Sequence, residues 1–479
     1  MSSQKSKSPF VSDYDPENFR KRGYEIIDLL TDYLSGCVSE DNQRVLTSSS
    51  PQEIYEKWLA IFSDKAPIDF KQFMSQVLND SNHLHHPRYV GHQVSAPLPE
   101  AVLSDTVSAM LNNSSVVYEM GPVATAMEHI CVQWMAKKIG FDNKADGVLT
   151  SGGTLGNLTA LLAARQAQAD YNIWEEGVQS EKNLAVLVAD QSHYSVRRAV
   201  QVMGLGERGA IAVAADANFR MDICDLKAKY EAAKSRGMSV FAVVACGCST
   251  ATGSFDDLSA IANFCLEHGL WLHVDAAHGG STLLSSKYKH LLVGIERADS
   301  VVWDAHKMMM LPMLVTGVIF RNGHCSYETF SQKAAYILSR LSQDTWYDMG
   351  LRTMECSKDM MALKLFSSLR LKGEAFFGDY IDYIYDLTKW FADELQKADD
   401  FEIPVYPECN IICFRYTKKH GDLNVLTEQI RKKIGGGEGF YMVKTTLGGK
   451  IYLRCTIINP LTTKQDLLAL MDQVRQAVQ

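Results

Sequence analysis

The amino-acid sequence predicts an α/β protein in which a large, mostly parallel sheet wrapped by helices is followed by a smaller α/β lobe. Between residues 146 and 320, short apolar segments alternate with longer stretches of helical character, which is typical of strand–helix–strand units. A second set of apolar segments lies between residues 411 and 457. The length of 479 residues also exceeds what one hydrophobic core usually organises, so we expect at least two lobes.

The predicted strands are short apolar runs bounded by polar or small residues. A strand that starts at Gly147 opens the large sheet, and its other strands are expected at 184–189, 210–214, 240–245, 270–274, 301–303 and 316–320. In the smaller lobe, strands are expected at 411–416, 440–446 and 451–457, the last two joined across Gly448-Gly449, with a closing helix from Thr463.

Helices are predicted from capping residues and from apolar side chains at helical spacing. Asp15-Pro16-Glu17 has the cap, the first-turn proline and the acid of a helix start. Residues 321–349, rich in Ser, Gln and Tyr, are predicted to form a long mobile loop. Further helices are expected at 51–62, across 99–138 with an interruption at 112–122, and at 354–371 and 375–398.

The chain is expected to divide into three parts. Residues 1–90 form a helical arm, which cannot bury its own apolar stripes and must therefore pack on another domain or another subunit. Residues 91–350 form the large domain, and residues 351–479 form the small α/β domain.

The bulk composition excludes several classes of protein. A net charge of −8 and a pI near 5.9 argue against nucleic acid or an anionic membrane as a partner, so we interpret the basic run 431–433 as a solvated helix face. No run reaches the roughly 18 apolar residues of a membrane-spanning helix. Eleven cysteines without regular spacing, and a first ten residues without an apolar segment, predict a reduced, cytoplasmic protein.

One lysine, Lys307, follows a short apolar run within the segment 299–310. An ammonium among apolar side chains loses hydration, which lowers its pKa and leaves an amine able to attack a carbonyl carbon. Taken alone, the segment favours a surface lysine whose stem packs along apolar neighbours. The residues upstream decide between these two interpretations.

Two upstream segments favour attachment of a cofactor to Lys307. Asp275 follows the apolar run 270–274, at the strand end where open α/β sheets bind ligands. At Ser151-Gly152-Gly153-Thr154 a strand turns into a helix, whose first backbone N–H groups form an anion site. A phosphate turn, a strand-end acid and a lysine in an apolar segment are together the parts that hold pyridoxal 5′-phosphate.

Other polar side chains also follow predicted strands. His193 comes after strand 184–189 and is placed to stack on an aromatic cofactor, although alone it favours an ordinary loop histidine. Ser249 and Thr250 carry hydroxyls suited to a phenolic oxygen, whereas the thiols of Cys246 and Cys248 are expected to pack.

Three features are candidates for contact with a substrate. The histidine-rich segment 83–93 is predicted to be a substrate-pocket loop rather than a metal site, because no cysteine or acid nearby completes a tetrahedral set. Tyr118 lies in the irregular bend at 112–122. Arg454 stands between apolar neighbours, where an unpaired cation is costly, so we expect a carboxylate partner that is either structural or part of a substrate.

Two segments carry a family resemblance: His273-Val-Asp-Ala-Ala-His-Gly-Gly280 and Asp304-Ala-His-Lys-Met-Met309. In these the chain resembles the pyridoxal-phosphate-dependent amino-acid decarboxylases of the glutamate, cysteine-sulfinate and aromatic amino-acid type. Four motifs occur in the family's order, from the histidine-rich loop to Asn459-Pro460. The resemblance implies the aspartate aminotransferase fold, with a large sheet of the seven-stranded type, and a homodimer with its active site at the subunit interface.

The resemblance also implies a role for each matched residue near the cofactor. Lys307 bonds to the aldehyde of pyridoxal phosphate, His306 helps to hold the phosphate, and Asp275 binds the pyridinium nitrogen. His193 lies on one face of the ring and Ala277 on the other. The remaining cofactor contacts are Ser151, Gly152, Gly153, Thr154 and Thr250.

For the substrate, the resemblance implies that Arg454 binds the carboxylate. Tyr336, on the predicted mobile loop, is the expected proton donor to the carbanion left after carbon dioxide departs. Further substrate contacts are expected at His92, Gln93 and Tyr118.

The chain departs from the family pattern in several places. Cys248-Ser249-Thr250 replaces the usual Gly-Thr-Thr, Thr154-Leu-Gly replaces Ser-Glu-Ala, and Lys358 stands where several members have arginine. The His92-Gln93 region matches the family's substrate loop only approximately. These changes leave the reaction intact and the choice of substrate open.

The expected reaction is α-decarboxylation of a small acidic amino acid, because the segment 306–309 and Tyr118-Glu119-x-x-Pro122 are similar to that branch of the family. An aromatic amino acid is the alternative substrate. Transamination and desulfuration are rival reactions on the same fold. The alternative from another functional class is a non-catalytic protein that binds the cofactor. Such a protein would turn over none of the common amino acids.

Overall fold

The structure is a computed structural model that describes residues 10–39, 44–47, 49–330, 346–435 and 439–478. Its helices are α1 (Pro16–Val38), α2 (Pro51–Ser63), α3 (Phe70–Asp80), α4 (Pro99–Leu111), α5 (Pro122–Ile139), α6 (Gly153–Gln168), α7 (Ile173–Glu176), α8 (Tyr194–Val202), α9 (Ile223–Ser235), α10 (Leu258–His268), α11 (His324–Phe330), α12 (Ala362–Lys397), α13 (Leu423–Ile434) and α14 (Lys464–Val478). Its strands are β1 (Asp146–Thr150), β2 (Leu184–Ala189), β3 (Ala210–Val213), β4 (Ser239–Cys246), β5 (Trp271–Asp275), β6 (Ser300–Asp304), β7 (Thr316–Phe320), β8 (Phe401–Glu402), β9 (Ile411–Tyr416), β10 (Val443–Leu447) and β11 (Lys450–Thr456).

The large sheet has seven strands in the order β1-β7-β6-β5-β4-β2-β3. Strands β3, β2, β4, β5 and β6 run parallel, and β7 is antiparallel to both of its neighbours. Every residue of β2, β5 and β6 is buried, because helices cover both faces of the sheet. The predicted α/β fold with a mostly parallel sheet is therefore confirmed.

Register brings the carboxyl ends of three parallel strands together. Cys246 on β4 pairs with Asp275 on β5, and Asp275 pairs with Val302 on β6. Helix α6 contacts the same strands from one side of the sheet. This edge is where ligands bind in open α/β sheets.

The smaller sheet is antiparallel, in the order β10-β11-β9-β8. The hairpin between β10 and β11 turns at Gly448 and Gly449, both with positive φ, as the sequence predicts. Helix α12 joins the two lobes, since Leu365 and Ile381 pack in the core of the large sheet while Phe391 packs against the small one. The division at residues 90 and 350 stays a prediction.

The helices follow their predicted start signals closely. The side chain of Asp15 accepts from the backbone N–H groups of Glu17 and Asn18 at 3.3 Å, and Ser50 and Glu53 form a capping box at α2. Large apolar side chains on both helices are exposed in the single chain, among them Phe62 at 89%. We therefore still expect the arm to pack on another surface. No described helix is long and apolar enough to span a membrane.

Two predictions near the lobe boundary are wrong. Residues 324–330 of the predicted loop form α11, whose Ser326 accepts a hydrogen bond from the buried guanidinium of Arg352. The helix predicted from 354 begins at Ala362, because Lys358 is held by backbone and side-chain hydrogen bonds to the segment at residues 114–115. The predicted break between 371 and 375 is confirmed, since Gly373 has φ +78° inside α12.

Candidate active site

A cavity of about 480 Å³ lies at the carboxyl ends of β4, β5 and β6. It brings together segments that are far apart in the sequence. Of the residues predicted for the site, those that line the cavity are Gln93, Ser151, Gly152, Gly153, Thr154, His193, Thr250, Asp275, Ala277, His306 and Lys307.

The turn before α6 fits a phosphate. Gly152 has φ +103°, a conformation that favours glycine, and α6 starts at Gly153 with no side-chain cap on its first N–H groups. A Cβ at Gly153 would lie 3.2 Å from Asp304 Oδ2, a tight contact that would require the carboxylate to shift. Uncapped N–H groups at the start of a sixteen-residue helix are an anion site.

Asp275 is buried at the end of β5 and fits a protonated ring nitrogen. Asn157 Nδ2 donates to Oδ2 at 2.9 Å, and the backbone N–H of Ala277 donates to Oδ1 at 3.1 Å. These two hydrogen bonds fix the orientation of the carboxylate. The side chain remains on the cavity wall, where it can accept from a cationic ring.

The amine of Lys307 forms an ion pair with Asp304, with Nζ 2.9 Å from Oδ2. Burial alone lowers the pKa of Lys307, but Asp304 and Asp275 together outweigh burial and raise it. The prediction that an apolar setting lowers this pKa is therefore wrong. In the protein without cofactor, Lys307 must lose a proton before it can attack an aldehyde.

Asp304 was not among the predicted site residues. Burial opposes its ionisation, yet the neighbouring Lys307 and His306 hold its pKa below the usual value. Thr316 Oγ1 donates to Oδ1 at 2.5 Å, and His306 Nε2 lies 3.7 Å from Oδ2. The available signal was an acid at the end of a predicted strand, three residues before the lysine.

The two predicted histidines are both held through Nδ1. His193 Nδ1 lies 2.8 Å from Ser195 Oγ, and His306 Nδ1 lies 2.9 Å from the carbonyl oxygen and 3.1 Å from the backbone nitrogen of Val315. Burial lowers the pKa of each imidazole. Their roles beside the ring and the phosphate remain proposals.

In the turn after β4, only one of the two hydroxyl residues predicted to contact the cofactor lines the cavity. Thr250 lines the cavity, but Ser249 Oγ bonds to Thr252 and Ser254 within the turn and is not available to a ligand. Cys246 and Cys248 line the cavity in addition to packing. Burial raises the pKa of Cys246, so its thiol stays protonated.

Arg454 lies behind Thr250 and is only 9% exposed. Its Nη1 donates to the carbonyl oxygen of Thr250 at 2.9 Å, while its buried Nε has no hydrogen-bond partner. Within the described part of the chain, no carboxylate comes within 4.0 Å of this guanidinium. The expected structural partner is thus missing there, which leaves a substrate carboxylate as the alternative.

The other predicted substrate residues are spread out. His92 borders Arg454, and its Nε2 lies 2.8 Å from the hydroxyl of Tyr441. Tyr118 is 49% exposed and packs against Tyr347, away from the cavity walls of the same chain. Tyr336 lies outside the described residues.

Besides Asp304, sequence reasoning missed Asn157 and His278 at the cavity. Asn157 holds Asp275, as described above. His278 is buried, its Nε2 donates to Asn410 Oδ1 at 2.8 Å, and its Nδ1 has no partner among the described residues. Burial lowers the pKa of His278 to about 3, so the ring is neutral. The described residues contain no group of three side chains placed to bind a metal.

The fold and the site define an enzyme that uses pyridoxal 5′-phosphate. A family model described as "Pyridoxal-dependent decarboxylase conserved domain" matches residues 41–417, and the chain belongs to that family. Its members are amino-acid decarboxylases, which makes this protein a lyase.

Individual proteins agree with the family. An aromatic-L-amino-acid decarboxylase of Bacillus atrophaeus is 29% identical over 96% of this chain and 95% of its own length. A cysteine sulfinic acid decarboxylase of Mus musculus is 33% identical over 69% of this chain and 67% of its own. The crystal structure of mouse CSAD has a TM-score of 0.90 at 26% identity, covering 97% of this chain and 99% of that one.

Bound pyridoxal phosphate supplies a ring that accepts the electron pair released when the bond from Cα to the carboxylate breaks. Asp275 would keep the ring nitrogen protonated, Lys307 would supply the amine, and the α6 turn would bind the phosphate.

Proposed function

We propose that the enzyme removes the α-carboxylate of a small L-amino acid with an acidic side chain: aspartate, glutamate or cysteine sulfinate. The products are carbon dioxide and the corresponding amine. The observation that carries the proposal is the buried guanidinium of Arg454, whose Nε has no partner among the residues that the structure describes. A buried cation without a counter-ion is costly, and an anionic substrate removes that cost.

The surroundings of Arg454 support an acidic rather than an apolar side chain. Gln93 lines the cavity, and its neighbour His92 lies beside Arg454 and within 2.8 Å of the hydroxyl of Tyr441. The amide nitrogen of Gln93 is buried without a partner among the described residues and is therefore a second donor for an anion. The cysteine sulfinic acid decarboxylase of mouse, at 33% identity, acts on such a substrate.

An aromatic amino acid is the second candidate substrate. The aromatic-L-amino-acid decarboxylase of Bacillus atrophaeus matches 96% of the chain, which favours this alternative. Against it, Tyr194 is the only described residue on the cavity wall that carries a benzene ring. Stacking partners for an aromatic substrate are therefore few.

The test is a product screen with the holoenzyme. Carbon dioxide, amine and keto-acid formation are measured for aspartate, glutamate, cysteine sulfinate, diaminobutyrate and the aromatic amino acids. We expect the highest kcat/KM for an acidic substrate, with the amine as product. Higher kcat/KM for an aromatic substrate, or keto acid as the main product, would overturn the assignment.

The role of Arg454 is tested by Arg454→Lys. Lysine keeps the charge but loses the planar fork, so we expect kcat/KM to fall by about 10- to 100-fold, as for other charge-assisted hydrogen bonds. Arg415→Lys is the matched control, because Arg415 lies on the neighbouring strand β9 and pairs with Glu402 instead. Equal losses in both variants would remove Arg454 from the substrate site.

The assembly is proposed to be a homodimer. Helices α4 and α5 expose large apolar side chains in the single chain, including Met110, Val123 and Ile130. Light scattering of the purified protein tests this, and a monomeric mass would contradict it. The cytoplasmic location stays a prediction, supported by eleven cysteines that are all free thiols.

A further inference from the structure

Asn157 on α6 connects Asp275 and His193 through buried hydrogen bonds. Its Nδ2 donates to Asp275 Oδ2 at 2.9 Å and to Ser195 Oγ at 3.0 Å. Its Oδ1 lies 3.0 Å from His273 Nε2. Asn157 is 1% exposed, and Ser195 and His273 are fully buried, so no solvent replaces a lost bond.

The direction of each bond in one branch follows from the chemistry of its ends. A carboxylate only accepts, so the amide of Asn157 turns Nδ2 toward Asp275 and Oδ1 toward His273. His273 Nε2 must therefore donate, and its Nδ1, 2.9 Å from Ser300 Oγ, must accept. Trp271 Nε1 donates to the same Oγ at 2.9 Å, which leaves the hydroxyl proton of Ser300 for His273. Burial lowers the pKa of His273 to about 4, in agreement with a neutral ring.

The second branch reaches the other side of the cofactor site. Ser195 Oγ accepts from Asn157, so its proton is available to His193 Nδ1 at 2.8 Å. The backbone N–H of Ser195 also faces this Nδ1, at 3.3 Å. His193 is therefore an acceptor at Nδ1, and its neutral ring carries the proton on Nε2. His193 and Asp275 both line the cavity.

We propose that Asn157 is a positioning residue, which holds the carboxylate of Asp275 and the ring of His193 in one hydrogen-bonded unit that binds pyridoxal phosphate. Without the amide, Asp275 keeps a single bond from Ala277, and His273 loses its acceptor. Asp275 and His273 are both buried, so no solvent replaces the lost bonds, and the orientation of the two side chains is no longer fixed. The proposal rests on the cofactor alone and is independent of which amino acid is decarboxylated.

The test is Asn157→Leu, a side chain of similar size that makes no hydrogen bonds. The dissociation constant for pyridoxal phosphate is measured by titrating the apoprotein, and the ring nitrogen is followed by NMR with ¹⁵N-labelled cofactor. Because one bond to a charged group is lost, we expect the dissociation constant to rise about 10- to 100-fold. We also expect the ring nitrogen to lose its proton at lower pH, which a change in fold stability alone does not cause.

Thr159→Val is the matched control. Thr159 is fully buried on the same helix, and its hydroxyl has no hydrogen-bond partner. We expect wild-type affinity for this variant. An Asn157→Leu protein with wild-type affinity and an unchanged ring-nitrogen titration would overturn the proposal. If Asn157→Leu does not fold, Ser195→Ala removes one branch, and wild-type affinity in that variant would overturn the proposal equally.

Discussion

Lys307 Nζ lies 2.9 Å from Asp304 Oδ2, and this ion pair is formed by two residues only three positions apart. The carboxylate is itself fixed by the hydroxyl of Thr316. The pair keeps the amine in place but protonated, because the charge and hydrogen bond of Asp304, together with the charge of Asp275, outweigh the burial that lowers the pKa of Lys307. The rate at which apoprotein bonds to its cofactor should therefore depend on Asp304.

Asp304→Asn is expected to lower the pKa of Lys307, since burial is then opposed by Asp275 without the charge of Asp304. The rate of covalent capture of pyridoxal phosphate, followed by its absorbance, should reach half its maximum at lower pH than in wild type. Asp299→Asn is the control, because Asp299 pairs with Arg321 in the same segment. A wild-type pH profile in Asp304→Asn would contradict the assigned role.

The buried His278 should make the protein sensitive to acid. Its pKa is about 3 in the folded chain and 6.5 in an ordinary setting, so below pH 6.5 the unfolded state binds the extra proton. The contribution of the neutral His278 ring to the free energy of unfolding is fully present above pH 6.5 and is lost as the pH falls toward 3. The loss is about 1.4 kcal/mol for each pH unit within that window.

His278→Asn removes this titration, so its free energy of unfolding should fall less steeply with acid than that of wild type. Urea titrations across the window measure both slopes. His420→Asn, in an exposed loop, is the control and should keep the wild-type slope. Parallel slopes for wild type and His278→Asn would show that His278 does not titrate on unfolding.

Much of the fold could be predicted because parallel strands are buried on both faces. Such strands appear in the sequence as continuous apolar runs, and β2 and β7 have the predicted bounds. The late start of α12 could not be predicted, since Lys358 is drawn into contact with Glu128, which is 230 residues away in the sequence. Helix propensity alone carries no information about that pair.

For the site, local motifs placed Asp275, Lys307 and the phosphate turn on one cavity wall. The role of Asn157 depends on a bond to a residue 118 positions later, which no local pattern reveals. The wrong direction predicted for the pKa of Lys307 has a different reason, since Asp304 lies only three positions away. An apolar neighbourhood is visible in the sequence, but the orientation of a nearby carboxylate is not.

Tyr336→Phe tests the proton donor that the family resemblance implies, at a residue outside the described part of the chain. Cofactor affinity should be unchanged, whereas decarboxylation should slow and carbonyl by-product should increase, because the proton no longer reaches Cα reliably. The ratio of amine to carbonyl product is measured by chromatography. Tyr347→Phe, against Tyr118 on the surface, is the control. An unchanged ratio in Tyr336→Phe would count against its role.

Lys358 and Glu128 form an ion pair in which both side chains are fully buried. Glu128 Oε1 also accepts from the backbone N–H of Leu149 at 2.9 Å, at the strand that precedes the phosphate turn. Lys358→Met leaves a buried carboxylate without its cation, which typically costs about 3–5 kcal/mol of folding free energy. Lys358→Arg keeps the charge, so its loss of folding free energy should be much smaller.

The comparison variant for Lys358→Met is Lys364→Met. Lys364 is equally buried, but its partner Asp105 is 32% exposed and can be hydrated when the lysine is removed. Chemical denaturation should therefore show a smaller loss for Lys364→Met than for Lys358→Met. The double variant Glu128→Leu/Lys358→Met has no unpaired buried carboxylate. It should therefore recover part of the lost folding free energy. Equal losses at both lysines would mean that packing of the side-chain stems, rather than burial of an unpaired carboxylate, sets the cost.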